Sequence, residues 1–174
     1  MSEVKGILDM WDAEFEGTIK LLESLPVEKY DFRPDEGGRS LGELAWHLAE
    51  SDGYISFGIE QGTFQTESKP AHLERPRTVK ELAPGYRQVH EDACTRVRKL
   101  KDKDLDRPIK FFDGSPRTVR EVLWNYLVMH LIHHRGQLTL MCRLAGGMPP
   151  GLFGHSREEA AAAKQAMEAA AQSA

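Results

Sequence analysis

The stripe Val4, Leu8, Trp11, Phe15, Thr18, Leu22 and Leu25 advances by alternating steps of four and three, the period of one helix face, until Pro26 ends it. The same period returns three more times and constrains the fold more than any other feature of the chain. In the second instance Ser40 and Glu43 form a capping-box pattern ahead of Leu41, Leu44, Leu48, Ile55 and Ile59. Thr78 and Glu81 repeat that pattern ahead of Val79, Leu82, Tyr86, Val89, Ala93, Val97 and Leu100, with a kink predicted near Pro84-Gly85. The fourth stripe is Val119, Val122, Leu123, Tyr126, His130, His134, Leu138, Met141 and Ala145, and Gly146-Gly147 stop it.

Between these stripes the period is lost. Residues 61–77 contain Gly62, Pro70 and Pro76 and read as a loop. "RPIKFFDGSPRT" reads as a turn around Asp113-Gly114 with at most a short strand. The alanine-rich tail from Ser156 reads as a fifth helix that frays at its end. Four amphipathic helices without a sheet pattern predict an all-α fold, a four-helix bundle with a long crossover connection and an extra C-terminal helix. One domain is expected over residues 1–174, with the bundle in about 1–146 and an extension in about 147–174.

Charge and cysteine usage narrow the setting. Lys plus Arg number 23 and Asp plus Glu 27, a net charge of -4 with no basic block, so nucleic acid is not the expected partner. No segment has the length and apolarity of a membrane span, and "MSEVKGILDMWDAEFEG" lacks the apolar core of a secretory signal. Cys94 and Cys142 are isolated, which suits a reducing compartment, and the expected location is the cytoplasm.

Chemistry concentrates in "MHLIHHRGQL", residues 129–138. At about 100° per residue, His130 and His134 differ by about 40° and lie about 6 Å apart along the axis, so both rings reach one ion. His133 points about 60° away from His130 and about 100° from His134, which makes it the bystander. A buried imidazole is costly unless paired, and the pair occupies positions of the apolar stripe. Two nitrogens do not hold a first-row metal, so a third ligand must come from elsewhere, and His47 in "LGELAWHLAE" is the best candidate. HxxxH by itself is a weak pattern, and His47 alone is equally a partly exposed helix residue.

The neighbours carry weaker signals. Tyr126, one turn before His130, and Ser51, one turn after His47, are the candidates to hydrogen-bond a metal-bound water or a substrate. Trp11 and Phe15 are core residues that could instead line an apolar pocket nearby. Glu43, Glu50 and Asp52 read as a solvated face from which one carboxylate could orient an imidazole. His72, His90 and His155 are expected at the surface, Cys94 near a polar edge, and Cys142 as a packed thiol. Spacing assigns no role to Arg135 or Gln137.

"YDFRPDEGGRSLGELAWHLAE", followed some eighty residues later by "MHLIHHRGQL", resembles the DinB-like superfamily of metal-binding four-helix bundles, which includes YfiT-type metal hydrolases and thiol-dependent S-transferases. The resemblance runs through nearly the whole chain up to Gly146-Gly147. Its specific parts are the single histidine of the second helix and the HxxxHRGQ pattern of the fourth. It implies His47, His130 and His134 as the metal ligands, a homodimer, and a divalent ion, with nickel or zinc foremost and iron or manganese among the alternatives. It also implies a reaction in which a low-molecular-weight thiol such as bacillithiol, mycothiol or glutathione is added to a small electrophile.

The resulting expectation is a cytoplasmic metalloprotein acting as a metal-dependent thiol S-transferase on a small molecule, with a low-molecular-weight thiol as co-substrate. A dication with open coordination positions lowers the pKa of a thiol that binds it. The same site activates water, so metal-dependent hydrolysis of a small molecule is the alternative enzymatic reading. The non-enzymatic alternative is a stress-related metal-binding or interaction protein in which the ion ties helix two to helix four.

Overall fold

The computed structural model describes residues 2–64 and 67–172. Four long helices form the bundle: α1 (Glu3–Glu23), α2 (Leu41–Gln61), α3 (Leu82–Val97) and α4, which spans residues 119–144. A fifth, α5 (Arg157–Gln172), follows. Each bundle helix is positioned by the apolar stripe read from the sequence: Trp11, Leu22, Leu41, Leu48, Leu82, Val89, Leu123 and Leu138 lie in one continuous core. No helix among the described residues is long and apolar enough to cross a membrane.

Side-chain pairs along the helices give their directions. Ser2 meets Asp102 and Glu23 meets Arg87, so α1 runs antiparallel to α3. Glu3 meets Arg120 and Glu14 meets Arg135, so α1 runs parallel to α4. Asp52 meets His90 and Glu60 meets Lys99, so α2 runs parallel to α3. Helices α1 and α2 occupy opposite corners, since each packs on α3 and α4. Parallel neighbours require the chain to travel back along the bundle, and this is the predicted long crossover connection. From Gly62 it returns to the start of α2, where Trp46 Nε1 donates to Leu73 O at 3.3 Å and Tyr30 Oη donates to Pro76 O. Residues 65 and 66 of the predicted loop lie outside the described residues.

Local signals explain the ends. Ser40 Oγ accepts from Glu43 N at 3.2 Å while Glu43 Oε2 accepts from Ser40 N at 2.8 Å, the predicted capping box. Gly62, with φ of 75°, closes α2 in the left-handed conformation that a side chain disfavours. The second predicted box does not form. Thr78 Oγ1 donates to the Glu81 carboxylate at 2.6 Å, and Val79–Glu81 makes a 3-10 turn that leads into α3. Pro84 sits in the first turn of α3, where its missing N–H breaks no helical hydrogen bond, so the break near the helix start is that 3-10 turn.

Two further expectations change. The predicted turn around Gly114 is a complete small hairpin, β1 (Pro108–Lys110) paired antiparallel with β2 (Pro116–Thr118), which places Phe111 and Phe112 beside α2 and α4. Within α4, Val122–Met129 is π-helical, flanked by α-helical Val119–Glu121 and His130–Leu144. This wider turn shifts the phase of the turns that carry the histidines, while Leu138, Met141 and Ala145 further on are buried as the stripe predicts. The fully buried line of α4 is therefore Leu127, Leu131, Arg135, Leu138 and Cys142, and His130 and His134 lie one residue off it, half-buried instead of in the core.

Candidate metal centre

His47 projects from the second turn of α2, which the Ser40–Glu43 cap fixes, and His130 and His134 open the α-helical part of α4 directly after the π-helical stretch. The helices run antiparallel here and bring the three rings together, with centroid separations of 5.4 Å for His47–His130, 4.7 Å for His47–His134 and 4.3 Å for His130–His134. One ring nitrogen from each lies within 4.8 Å of the others.

The tautomers are set from outside the cluster. His47 Nδ1 donates to Glu50 Oε2 at 3.3 Å and His134 Nδ1 donates to Gln137 Oε1 at 2.7 Å, which makes Nε2 the nitrogen of each that carries the lone pair. His47 Nε2 faces His130 Nε2 at 3.3 Å, close to the roughly 3.3 Å separating two imidazole nitrogens on a tetrahedral ion at zinc distances. Burial, then the His134, His47 and His133 rings, and lastly the Arg39 charge lower the His130 pKa to about 4; burial also lowers that of His134. At neutral pH His130 and His134 are therefore uncharged, the form in which imidazole binds metal. The donor set fits a divalent cation.

His133 turns outward into solvent, where Gln137 Nε2 donates to it at 3.2 Å. Beside the triad, a cavity of about 410 Å³ is walled by Tyr54, Ile55, Phe111, Phe112 and Tyr126, with Arg39 at its edge. Both weaker candidates line it: Tyr126 packs at a tilt against Phe111, 4.3 Å between centroids, and Ser51 donates to the His47 carbonyl at 2.9 Å. Trp11 and Phe15 do not line it. Trp11 is buried in the core, and Phe15 stacks on His90, 4.2 Å between centroids, in a different part of the bundle.

Several roles were invisible to spacing. Glu50 is the carboxylate that orients His47, as the solvated-face reading allowed, but Asp52 is completely buried and pairs with His90. His90 and Cys94 are likewise buried, against the expectation of surface and polar edge, because α1 covers that side of α3. Arg135 is 2% exposed; its guanidinium pairs with the Glu14 carboxylate and donates to Glu14 O at 2.7 Å, tying α4 to α1 directly behind the histidines. Glu14 on the inner face of α1 was a usable signal, a charge in a core phase that needs a partner. Cys142 is the expected packed thiol, and His72 and His155 are exposed as expected.

A helical bundle with a half-buried three-histidine cluster on its flank, opening to an apolar cleft, defines the class: a bundle protein with a candidate divalent-metal centre. Within that class the chain belongs to the DinB superfamily, whose family model matches residues 10–138. It is similar to the uncharacterized protein YrdA of Bacillus subtilis (strain 168), 31% identical over 154 residues that make up 87% of this chain and 89% of that one. Among solved structures it resembles a DinB-like protein from Bacillus cereus ATCC 10987, with a TM-score of 0.70 and 32% identity over 84% of this chain and 95% of that one. YfiT from Bacillus subtilis, described as a probable metal-dependent hydrolase with an unusual four-helix bundle topology, shares the fold at a TM-score of 0.64 and 16% identity, covering 84% and 90% of the two chains.

Proposed function

We propose that His47, His130 and His134 bind one divalent cation, zinc or nickel foremost, and that the centre serves a thiol S-transferase acting on small electrophiles. The observation that carries this reading is the convergence of three imidazoles, two with their second nitrogen already committed to Glu50 and Gln137, at the rim of an aromatic-walled cleft. A dication held this way supplies Lewis acidity, lowering the pKa of a thiol or water that reaches it. The chain's own residues then bind and orient. Phe111, Phe112 and Ile55 offer an apolar wall for the electrophile, and the Arg39 guanidinium offers a partner for a carboxylate of a low-molecular-weight thiol. Tyr126 and Ser51 place hydroxyl groups in the same cleft, within reach of a bound substrate.

The second reading is metal-dependent hydrolysis, favoured by one specific feature: Glu50 puts a carboxylate in the cleft, where it can accept a proton from an attacking water. The two separate in one assay. Metal-loaded protein is given a model electrophile with and without a small thiol, and substrate loss is followed. Loss that requires the thiol supports transfer; equal loss without it supports hydrolysis. No turnover, together with metal that stabilises the fold yet is inaccessible to azide or thiols, supports a purely structural ion.

We further propose a homodimer that buries the exposed apolar side chains Leu140, Leu144 and Met148 at the end of α4. Light scattering reads a dimer for the wild type and a monomer for Leu140→Glu/Leu144→Glu; a dimer that survives both changes contradicts the assignment.

A further inference from the structure

A second cluster of metal-ligating side chains lies between α1 and α3. His90 and Cys94 are one helical turn apart on α3, the same i, i+4 arrangement as His130 and His134, so both side chains project about 40° apart from one helix. Asp12 reaches them from α1. His90 Nε2 is 3.3 Å from Cys94 Sγ and 3.5 Å from Asp12 Oδ1, and Cys94 Sγ is 3.6 Å from that same Asp12 oxygen. One nitrogen, one sulfur and one oxygen donor thus converge, as in mixed-ligand sites for borderline-soft divalent ions.

The surroundings are built for the imidazole. The completely buried Asp52 of α2 accepts from His90 Nδ1 at 2.8 Å and, on its other oxygen, from Trp11 Nε1 at 3.3 Å. Phe15 stacks on the ring and Trp11 meets its edge, so its orientation is fixed on every side. A carboxylate holding Nδ1–H presents the Nε2 lone pair outward, the arrangement that typically orients a metal-bound histidine. With Nδ1–H given to Asp52, the single S–H proton of Cys94 faces two acceptors, His90 Nε2 and Asp12 Oδ1. Two carboxylates stand here, and the nearest guanidinium, that of Arg98, is 3.9 Å from Asp12 and more than half exposed.

We propose that Asp12, His90 and Cys94 form a second metal site, selective for a borderline-soft divalent cation of the zinc type. Cys94 coordinates as the thiolate, its proton passing to solvent, and Asp52 acts as a positioning residue through His90. Three protein donors leave a tetrahedral ion one further position, on the side of a cavity of about 350 Å³ whose wall includes Glu16 and Arg87. The ion would join α1 to α3, as the three-histidine centre joins α2 to α4.

Cobalt(II) titration of the metal-free, untagged His130→Ala/His134→Ala protein tests this, because the other candidate centre is then disabled. The expected result is a single saturable equivalent carrying thiolate-to-cobalt charge-transfer absorption in the near ultraviolet. Adding Cys94→Ser removes that absorption, and adding Asp52→Asn weakens binding by about 10- to 100-fold, with far-ultraviolet circular dichroism confirming the fold. Should either buried substitution unfold the chain, Asp12→Ala, at a half-exposed position, weakens binding while retaining the absorption. Absence of saturable binding overturns the proposal. Charge transfer that survives Cys94→Ser also overturns it, since the sulfur is then Cys142.

Discussion

Two hydrogen bonds decide which nitrogen each outer imidazole of the three-histidine cluster presents: His47 Nδ1 to Glu50, and His134 Nδ1 to Gln137. Substituting either acceptor by alanine frees the ring to turn, so Glu50→Ala and Gln137→Ala are each expected to lower divalent-metal affinity by about 10- to 100-fold, read by competition with a chromogenic chelator. Wild-type affinity in both would show that the rings are held by packing alone. Arg135, between His134 and Gln137 in sequence, faces the opposite way into the core, where Glu14 is its partner. Removing one member of a buried pair strands the other, so Arg135→Ala should destabilise the fold by about 3–5 kcal/mol in urea denaturation, whereas a paired apolar replacement at both positions should recover much of it. At this scale the sequence was partly legible. The i, i+4 claw follows from helix geometry alone, and His47 was found as the one histidine on the second helix. Glu50, Gln137 and Arg135 were not assigned, because which of several nearby polar side chains meets a ring depends on how two helices are rotated about their axes.

At the scale of the helix, the Ser40–Glu43 box fixes where α2 begins and therefore where His47 points. Ser40→Ala is expected to cost about 1 kcal/mol of stability. The Arg33 guanidinium and the Ser40 backbone N–H hold the Glu43 carboxyl at about 2 instead of its usual 4.5. A carboxylate depressed on folding stabilises fully above its unfolded pKa and loses that contribution as pH falls toward the folded one. The stability difference between wild type and Glu43→Gln should therefore be constant above about pH 5 and shrink as pH falls to about 2; a difference independent of pH across that window contradicts the assignment. In α4 the sequence misled in one respect. A 3.6-residue period runs without a break through Tyr126, His130 and His134, yet the π-helical Val122–Met129 stretch rotates the turns that follow, so that Leu131 and Arg135 take the core and the imidazoles take the cleft edge. A stripe of apolar residues two or three wide tolerates either phase, which is why periodicity could not reveal the shift.

For the whole molecule, four helices and a crossover were legible because amphipathic stripes and a proline- and glycine-rich gap are encoded locally. The placement of α1 and α2 at opposite corners was not, since it depends on which pairs of stripes bury one another. The arrangement matters for function: each candidate metal cluster joins two different corners, α2 to α4 and α1 to α3, and α2 supplies Glu50 to one and Asp52 to the other. Helix α5 stands apart from this core. Its described side chains are exposed but for the half-buried Glu158, which holds it to α4 through Arg143 at 2.8 Å, a partly exposed pair that solvent screens and that contributes little to stability. Ending the chain after His155 should therefore leave metal affinity unchanged and shift thermal unfolding only slightly; a collapse of either would place α5 in the structural core. The central claim is that His47, His130 and His134 share one cation, and anomalous diffraction from crystals of untagged, metal-loaded protein tests it most directly. The account predicts a peak at about 2.0–2.1 Å from one nitrogen of each of the three rings. Metal-loaded crystals with no peak at that point, whatever they show elsewhere, would contradict it.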